Sequence, residues 1–198
     1  ASTCSYEARE FGVHSGMPLR ECYKLCPQGV FVRGNFQVYQ AFSERFFRVL
    51  HTATPDVEEA SLDEAYLELT RCGQIYPSFT AAARELKRQV EREIGVTVSV
   101  GAAPNKILAK LATRRAKPAG FFEIREGEEQ TYLRDLGIEA LPGIGPKAQV
   151  VLRLMNIHKL GQLWELPRGT LHTLFGEGGD DIYLQSRDQR PAIDATRL

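Results

Sequence analysis

Asp63 and Glu64 stand side by side in Ser61-Leu62-Asp63-Glu64-Ala65-Tyr66-Leu67, a stretch that otherwise has the pattern of a buried β-strand. Strand interiors disfavour carboxylates, and burying one is costly unless a cation or hydrogen-bond donors meet it. Asp56, Glu58, Glu59 and Glu68 add to the charge, while residues 49–70 contain no Lys or Arg. With no local cation to neutralise them, the expected partner is a divalent metal. Hard Mg²⁺ takes oxygen ligands, usually one or two carboxylates plus substrate phosphates. The bland alternative is a solvated face of an edge strand.

A second cluster has the opposite sign. Residues 104–118 carry five positive charges and no negative one. Lys106, Lys110 and Arg114 step by four and so share one helix face, with Ile107, Leu108 and Leu111 available for packing. Lys117 follows at the helix end, before Pro118. A one-sided cationic helix suits a polyanion such as a triphosphate or a nucleic-acid backbone. Beside an acidic metal site it points to phosphoryl or nucleotidyl transfer. Lys106 and Lys110 either contact phosphates or support the acidic site; the sequence leaves both roles open.

The elements that must position these residues follow from caps and periodicity. Thr3 is the expected N-cap of a short helix starting near Ser5 and stopping at Gly12, with Tyr6 and Arg9 on one side. A helix from Pro18, with Leu19 and Cys22 inward, stops before Pro27, and residues 30–33 read as a strand. Asn35 caps a longer helix with Val38, Phe42, Phe46, Val49 and Leu50 in its apolar stripe. Strands are expected over 56–60 and 62–69. A helix capped by Ser78 carries Phe79, Ala83, Leu86, Val90 and Ile94 inward and ends at Gly95. Strands over 96–100 and 121–124 flank the cationic helix. Two helices on an antiparallel sheet make an α+β unit similar to the ferredoxin-like arrangement.

Beyond residue 124 the chain changes character. Leu141-Pro142-Gly143-Ile144-Gly145-Pro146-Lys147 has the form of a helix-hairpin-helix turn ahead of a helix over 147–155. Its glycines would leave backbone N–H groups open to a phosphate, a contact that positions DNA without reading bases. A plain helix-start turn is equally compatible with these residues. Short helices are expected over 163–166, 169–175 and 180–187.

Three stretches together carry a resemblance to Y-family, translesion DNA polymerases, most similar to the bacterial polymerase IV-like branch. Ser61 to Leu67 resembles the family's palm motif. Gly101 to Lys106, continuing through Ala116-Lys117-Pro118-Ala119-Gly120, resembles its second long motif. Ser5 to Val13 with Ser15-Gly16-Met17-Pro18 resembles its fingers motif. The resemblance runs over essentially the whole chain and implies partial fingers over 1–35, a palm over 36–124 and a helical thumb over 125–198. It implies that Asp63 and Glu64 are catalytic ligands of two Mg²⁺ ions, and that Thr3, Tyr6, Arg9 and Lys117 grip the phosphates of an incoming dNTP. Lys106, Lys110, Gly143, Gly145 and Lys147 are the expected contacts to primer–template DNA.

It also implies a fragment, lacking the first palm strand and the C-terminal little-finger domain and inactive alone, with unpaired sheet edges. A sliding clamp is the expected partner of the full-length protein, and a bacterial cytoplasmic, nucleoid-associated location is expected. The chain has 198 residues, 43% hydrophobic, with a net charge of zero, which disfavours a generic DNA-coating protein. No membrane span or leader is recognised. Cys4, Cys22, Cys26 and Cys72 lack zinc-like spacing, and Cys22 and Cys26, four apart on one helix face, read as packing residues in a reducing compartment. A non-catalytic, polymerase-like DNA-binding accessory protein is the alternative, although loss of the metal carboxylates would be its signature. A plain helix-hairpin-helix DNA binder would leave Asp63, Glu64, Tyr6 and Arg9 unexplained.

Overall fold

A computed structural model describes residues 1–69 and 76–187. Cys72 and the extreme C-terminal residues 188–198 lie outside them. The chain divides into two compact units, Ala1–Val38 and Tyr39–Leu198.

In the first unit, α1 (Tyr6–Glu10) is capped by Ser5, whose hydroxyl accepts from the Ala8 N–H; the cap is thus Ser5 and not Thr3. Gly12 at φ +85° turns the chain out of α1, as expected. α2 (Leu19–Leu25) follows Pro18. It buries Cys22 and leaves Leu19 exposed, against the expectation for Leu19. Cys22 and Cys26 pack with Val13 and Met17, the structural role expected of them. Residues 30–33 join no ladder, so the strand expected there is absent.

α3 (Phe36–Ala53) leads into the second unit. Asn35 Oδ1 accepts from the Gln37 and Val38 N–H groups and starts it. Only the C-terminal half of its stripe is covered: Phe47, Val49 and Leu50 are buried, whereas Val38 and Phe42 are exposed. β1 (Val57–Glu59) and β2 (Ala65–Leu67) form an antiparallel hairpin. α4 (Phe79–Ile94) starts on the Ser78 hydroxyl and ends at Gly95 in the left-handed region. Val57 packs with Phe47, Leu50, Leu86, Val90 and Ile94, so one hairpin face is anchored between α3 and α4. Buried Thr54 fastens the hairpin's end: its hydroxyl donates to the Glu68 carbonyl and accepts the Asp56 N–H.

The next unit of structure is β3 (Val100–Ala102), α5 (Lys106–Ala116) and β4 (Phe121–Glu123), with β3 and β4 parallel. The described residues therefore hold two two-stranded ladders, one antiparallel and one parallel, where a single antiparallel sheet was expected. Parallel neighbours need a crossover connection, and α5 supplies it. The strand expected over 96–100 forms four residues later. α5 starts on Asn105, whose Oδ1 accepts the Leu108 N–H at 3.0 Å. Asn105→Ala should lower stability by about 1 kcal/mol in urea denaturation, with an unchanged slope.

The remaining helices are α6 (Glu129–Arg134), α7 (Pro146–Leu154), α8 (Arg168–Phe175) and α9 (Glu177–Ser186), with 3₁₀ turns at Ile138–Ala140 and Leu160–Glu165. They share a core with α5, in which Leu108, Leu133, Ile138, Leu152, Leu160, Leu163 and Leu171 are fully buried. The cationic helix is thus gripped on its apolar side by core residues drawn from Ile124 to Ile182. Arg187 closes the packing by donating to the carbonyls of Leu163, Trp164 and Leu166.

Candidate polyanion and metal site

The hairpin places its acids by strand alternation. Val57 and Leu67 pair and turn toward the core, whereas Glu58 lies opposite Tyr66 on the other face. Asp63 and Glu64 are not inside a strand. They occupy the turn between β1 and β2 and are exposed. Ser61 makes that turn: its N–H and that of Ala60 donate to the Glu64 carbonyl, and its hydroxyl donates to Asp63 Oδ1 at 2.8 Å.

The local sequence supplies no cation, as expected, and the charges that meet these acids come from the cationic helix. Lys106 is ion-paired with Glu58, and Lys110 Nζ lies 3.7 Å from Glu64 Oε2. Both cations come from α5, more than forty residues downstream, so no local window could reveal them. Lys106 Nζ also stands 5.5 Å from the Tyr66 ring centre. These partly exposed pairs contribute little to stability but fix the turn against the helix. Arg114, on the same helix, is used differently: its guanidinium donates to the Ala140 carbonyl at 2.7 Å and holds the 3₁₀ turn Ile138–Ala140.

Lys117 is exposed at the C-cap of α5. It follows Lys110 by seven residues, two helical turns, and so leaves the helix on Lys110's face about 10 Å along the axis. The carboxylate turn, Lys110 and Lys117 therefore border one side of α5. Glu58 and Tyr66 belong to the same surface and were not singled out as site residues; strand alternation was the signal that could have found them.

Burial pushes the Tyr66 phenol up, and the negative charges of Glu64 and then Glu58 push it further. A phenol raised on folding stabilises the native state below the unfolded value of about 10, and this contribution is lost as pH rises through the folded value. The Tyr66→Phe difference in ultraviolet absorbance should thus titrate above the ordinary tyrosine range, and Glu64→Gln should bring it part of the way back.

In the first unit Thr3, Tyr6 and Arg9 are exposed, and the Arg9 guanidinium lies 5.5 Å from the Tyr6 ring centre. Tyr6 and Arg9 are brought together as their spacing predicts. In the C-terminal region the Leu141-to-Lys147 turn buries Ile144 and exposes Gly143, Gly145 and Lys147. Gly143 has φ +95°, and open space fronts the backbone at both glycines. The residues ahead of this turn form a single 3₁₀ turn, Ile138–Ala140.

Among the described residues no three Asp, Glu, His or Cys side chains cluster closely enough to hold a metal by themselves. Two adjacent hard oxygen donors nonetheless fit Mg²⁺, which commonly shares its ligation with phosphates and water. Among the described residues no helix is long and apolar enough to cross a membrane.

An exposed carboxylate turn is thus ion-paired to a cationic helix face in a framework of mixed helix and strand. The chain belongs to the impB/mucB/samB family, which it matches over residues 1–114. This bears out the Y-family resemblance of its three motifs. It is 43% identical over 175 residues to DNA polymerase IV of Dehalococcoides mccartyi strain CBDB1, covering 88% of this chain and 45% of that protein. DNA polymerase IV of Treponema denticola is 36% identical over 185 residues, covering 93% and 47%. Among solved structures, a Dbh ternary complex with partially disordered substrates matches with a TM-score of 0.88 at 32% identity, covering 96% of this chain and 58% of that one. DinB from Sulfolobus solfataricus matches with a TM-score of 0.87 at 32% identity, covering 95% and 56%. The chain spans about half the length of the curated relatives it matches.

Proposed function

We propose that this chain carries the nucleotidyl-transfer site of a translesion-type, template-directed DNA polymerase. The observation that carries the reading is the acidic turn of β1–β2 seated against the cationic face of α5. In the reaction a primer 3′-hydroxyl attacks the α-phosphate of a dNTP, the new P–O bond forms, and pyrophosphate leaves. Residues 1–35 act as fingers, 36–124 as palm and 125–198 as thumb; the compactness of Ala1–Val38 as a unit of its own supports the first of these divisions.

Asp63 and Glu64 would hold Mg²⁺, two ions in the complete site. Bound Mg²⁺ lowers the pKa of the attacking hydroxyl and neutralises charge on the transferring and leaving oxygens. The chain's own residues do the positioning. Thr3, Tyr6, Arg9 and Lys117 bind the β- and γ-phosphates, Arg9 as a planar donor fork and Lys117 as a point charge. Lys110 keeps the Glu64 carboxylate turned toward α5, and Lys106 does the same for Glu58, so that repulsion among the acids does not splay the turn. Beyond this pairing, both lysines would contact DNA phosphates. Gly143, Gly145 and Lys147 hold the duplex backbone at the start of α7, which fixes register and carries no base information. A sliding clamp is the expected protein partner, and the bacterial cytoplasm, at the nucleoid, the expected location.

Thermal denaturation with Mg²⁺ and a dNTP tests the nucleotide part directly. Together they should raise the melting temperature of this chain by several degrees, and Arg9→Ala and Lys117→Ala should each reduce the shift. If the wild-type chain shows no shift at millimolar nucleotide, the assignment of these residues fails.

A further inference from the structure

α2 is packed inside out. It buries Cys22 and, at its C-cap, Cys26, while its largest apolar side chains, Leu19 and Tyr23, are each 60% exposed. Leu19 and Tyr23 are four apart and share a face. Phe31, from the segment after the helix, comes to the same face and is 49% exposed, its ring centre 6.2 Å from that of Tyr23. The two rings are tilted by 45° and do not stack face to face. Arg20 and Lys24, again four apart, line the same groove with Leu19, Tyr23 and Phe31, and no acidic side chain lines it.

We infer that this groove is a binding site for single-stranded DNA, with bases stacked on Tyr23 and Phe31 and the backbone held by Arg20 and Lys24. Aromatic faces interleaved with cations suit an unpaired strand for definite reasons. Every base offers a π-face whatever its identity, and the phosphates supply the opposite charge. A duplex hides its base faces and could use only the two cations. An apolar protein partner would leave Arg20 and Lys24 desolvated without counter-charge, which is unfavourable. The site goes beyond the polymerase reading, since none of its five residues belongs to the nucleotide, metal or duplex contacts named above.

The test is photocrosslinking of this chain to a thymidine oligonucleotide carrying 5-iododeoxyuridine, with the adduct located by mass spectrometry. Adducts are expected on Tyr23 or Phe31. In anisotropy titrations with the same strand, Tyr23→Ala and Phe31→Ala should each weaken binding on the order of tenfold. Arg20→Ala with Lys24→Ala should flatten the salt dependence by about 0.7 in log–log slope per cation removed. All four side chains are exposed, so melting temperatures should stay unchanged, which separates lost contacts from lost folding. Lys147→Ala should leave Tyr23 and Phe31 crosslinking intact, which keeps this site distinct from the duplex contact. Adducts confined to other aromatic residues, with affinity unaltered in the Tyr23 and Phe31 variants, would overturn the inference. So would concentration-dependent self-association abolished by Tyr23→Ala while strand binding persists, because the groove would then be a protein interface.

Discussion

Asp63→Ala and Asp63→Asn should both lower nucleotide incorporation by the full-length protein on the order of 10³-fold, about 4 kcal/mol of transition-state stabilisation. The pair of variants separates chemistry from architecture. Asp63 Oδ1 accepts the Ser61 hydroxyl at 2.8 Å, and an Asn amide oxygen can accept the same bond. Asn therefore preserves the turn while removing the negative charge that a hard cation requires. Were Asp63 only a turn residue, Asn would be nearly silent and Ala modestly destabilising. Glu64 is a less clean probe, because its charge also meets Lys110 at 3.7 Å and Glu64→Gln would release that lysine as well. Duplex DNA binding should survive both Asp63 variants, since none of the contacts proposed for it, Lys106, Lys110, Gly143, Gly145 and Lys147, is paired with Asp63. Near wild-type incorporation by Asp63→Asn would remove Asp63 from the metal site and leave the proposed mechanism without its principal ligand.

Much of this architecture was legible in the chain because its helices announce themselves locally. Ser78 and Asn35 each cap the helix they precede, and Gly95 stops α4 in the left-handed conformation that glycine tolerates. The pairing partners of strands were not legible. Leu62, Ala65 and Leu67 around Asp63 and Glu64 suggest a continuous strand, and the turn contains no Gly, Pro or Asn to mark it. What makes the turn is the Ser61 side chain bonded to Asp63, which many unrelated Ser-x-Asp sequences could also form. The neutralising lysines were visible as a cationic face, but their acids lie over forty residues away. They meet because Leu67 and Leu69 of the hairpin pack with Val100 and Ala102 of β3, on which α5 also packs. At Thr3 the cap preference was real but ambiguous, because Ser5 offers the same hydroxyl two residues closer to the helix.

Gly101→Ala should destabilise the protein by about 3 kcal/mol, large for a single methyl group. Gly101 lies at the middle of β3, paired with Phe122 of β4, where α5 crosses the ladder. A Cβ at this position would stand 2.2 Å from the Thr113 nitrogen and 2.3 Å from the Ala109 carbonyl oxygen. Both are backbone atoms of α5, so no side-chain rotation relieves the clash and the helix itself must retreat. Its other side is held by fully buried Leu108 and Ala112, which leaves little room for that movement. Lys106 and Lys110 ride on the same helix, so their pairing with Glu58 and Glu64 should loosen together with the strand contact. Gly178→Ala is the matched control: it lies within α9, a Cβ there meets no atom within 4 Å, and alanine favours helix. It should stabilise by about 0.5–1 kcal/mol. Urea midpoints for the two variants should therefore move in opposite directions. If Gly101→Ala shifted by less than about 0.5 kcal/mol, the tight approach of strand and helix would not be what sets the position of the cationic face.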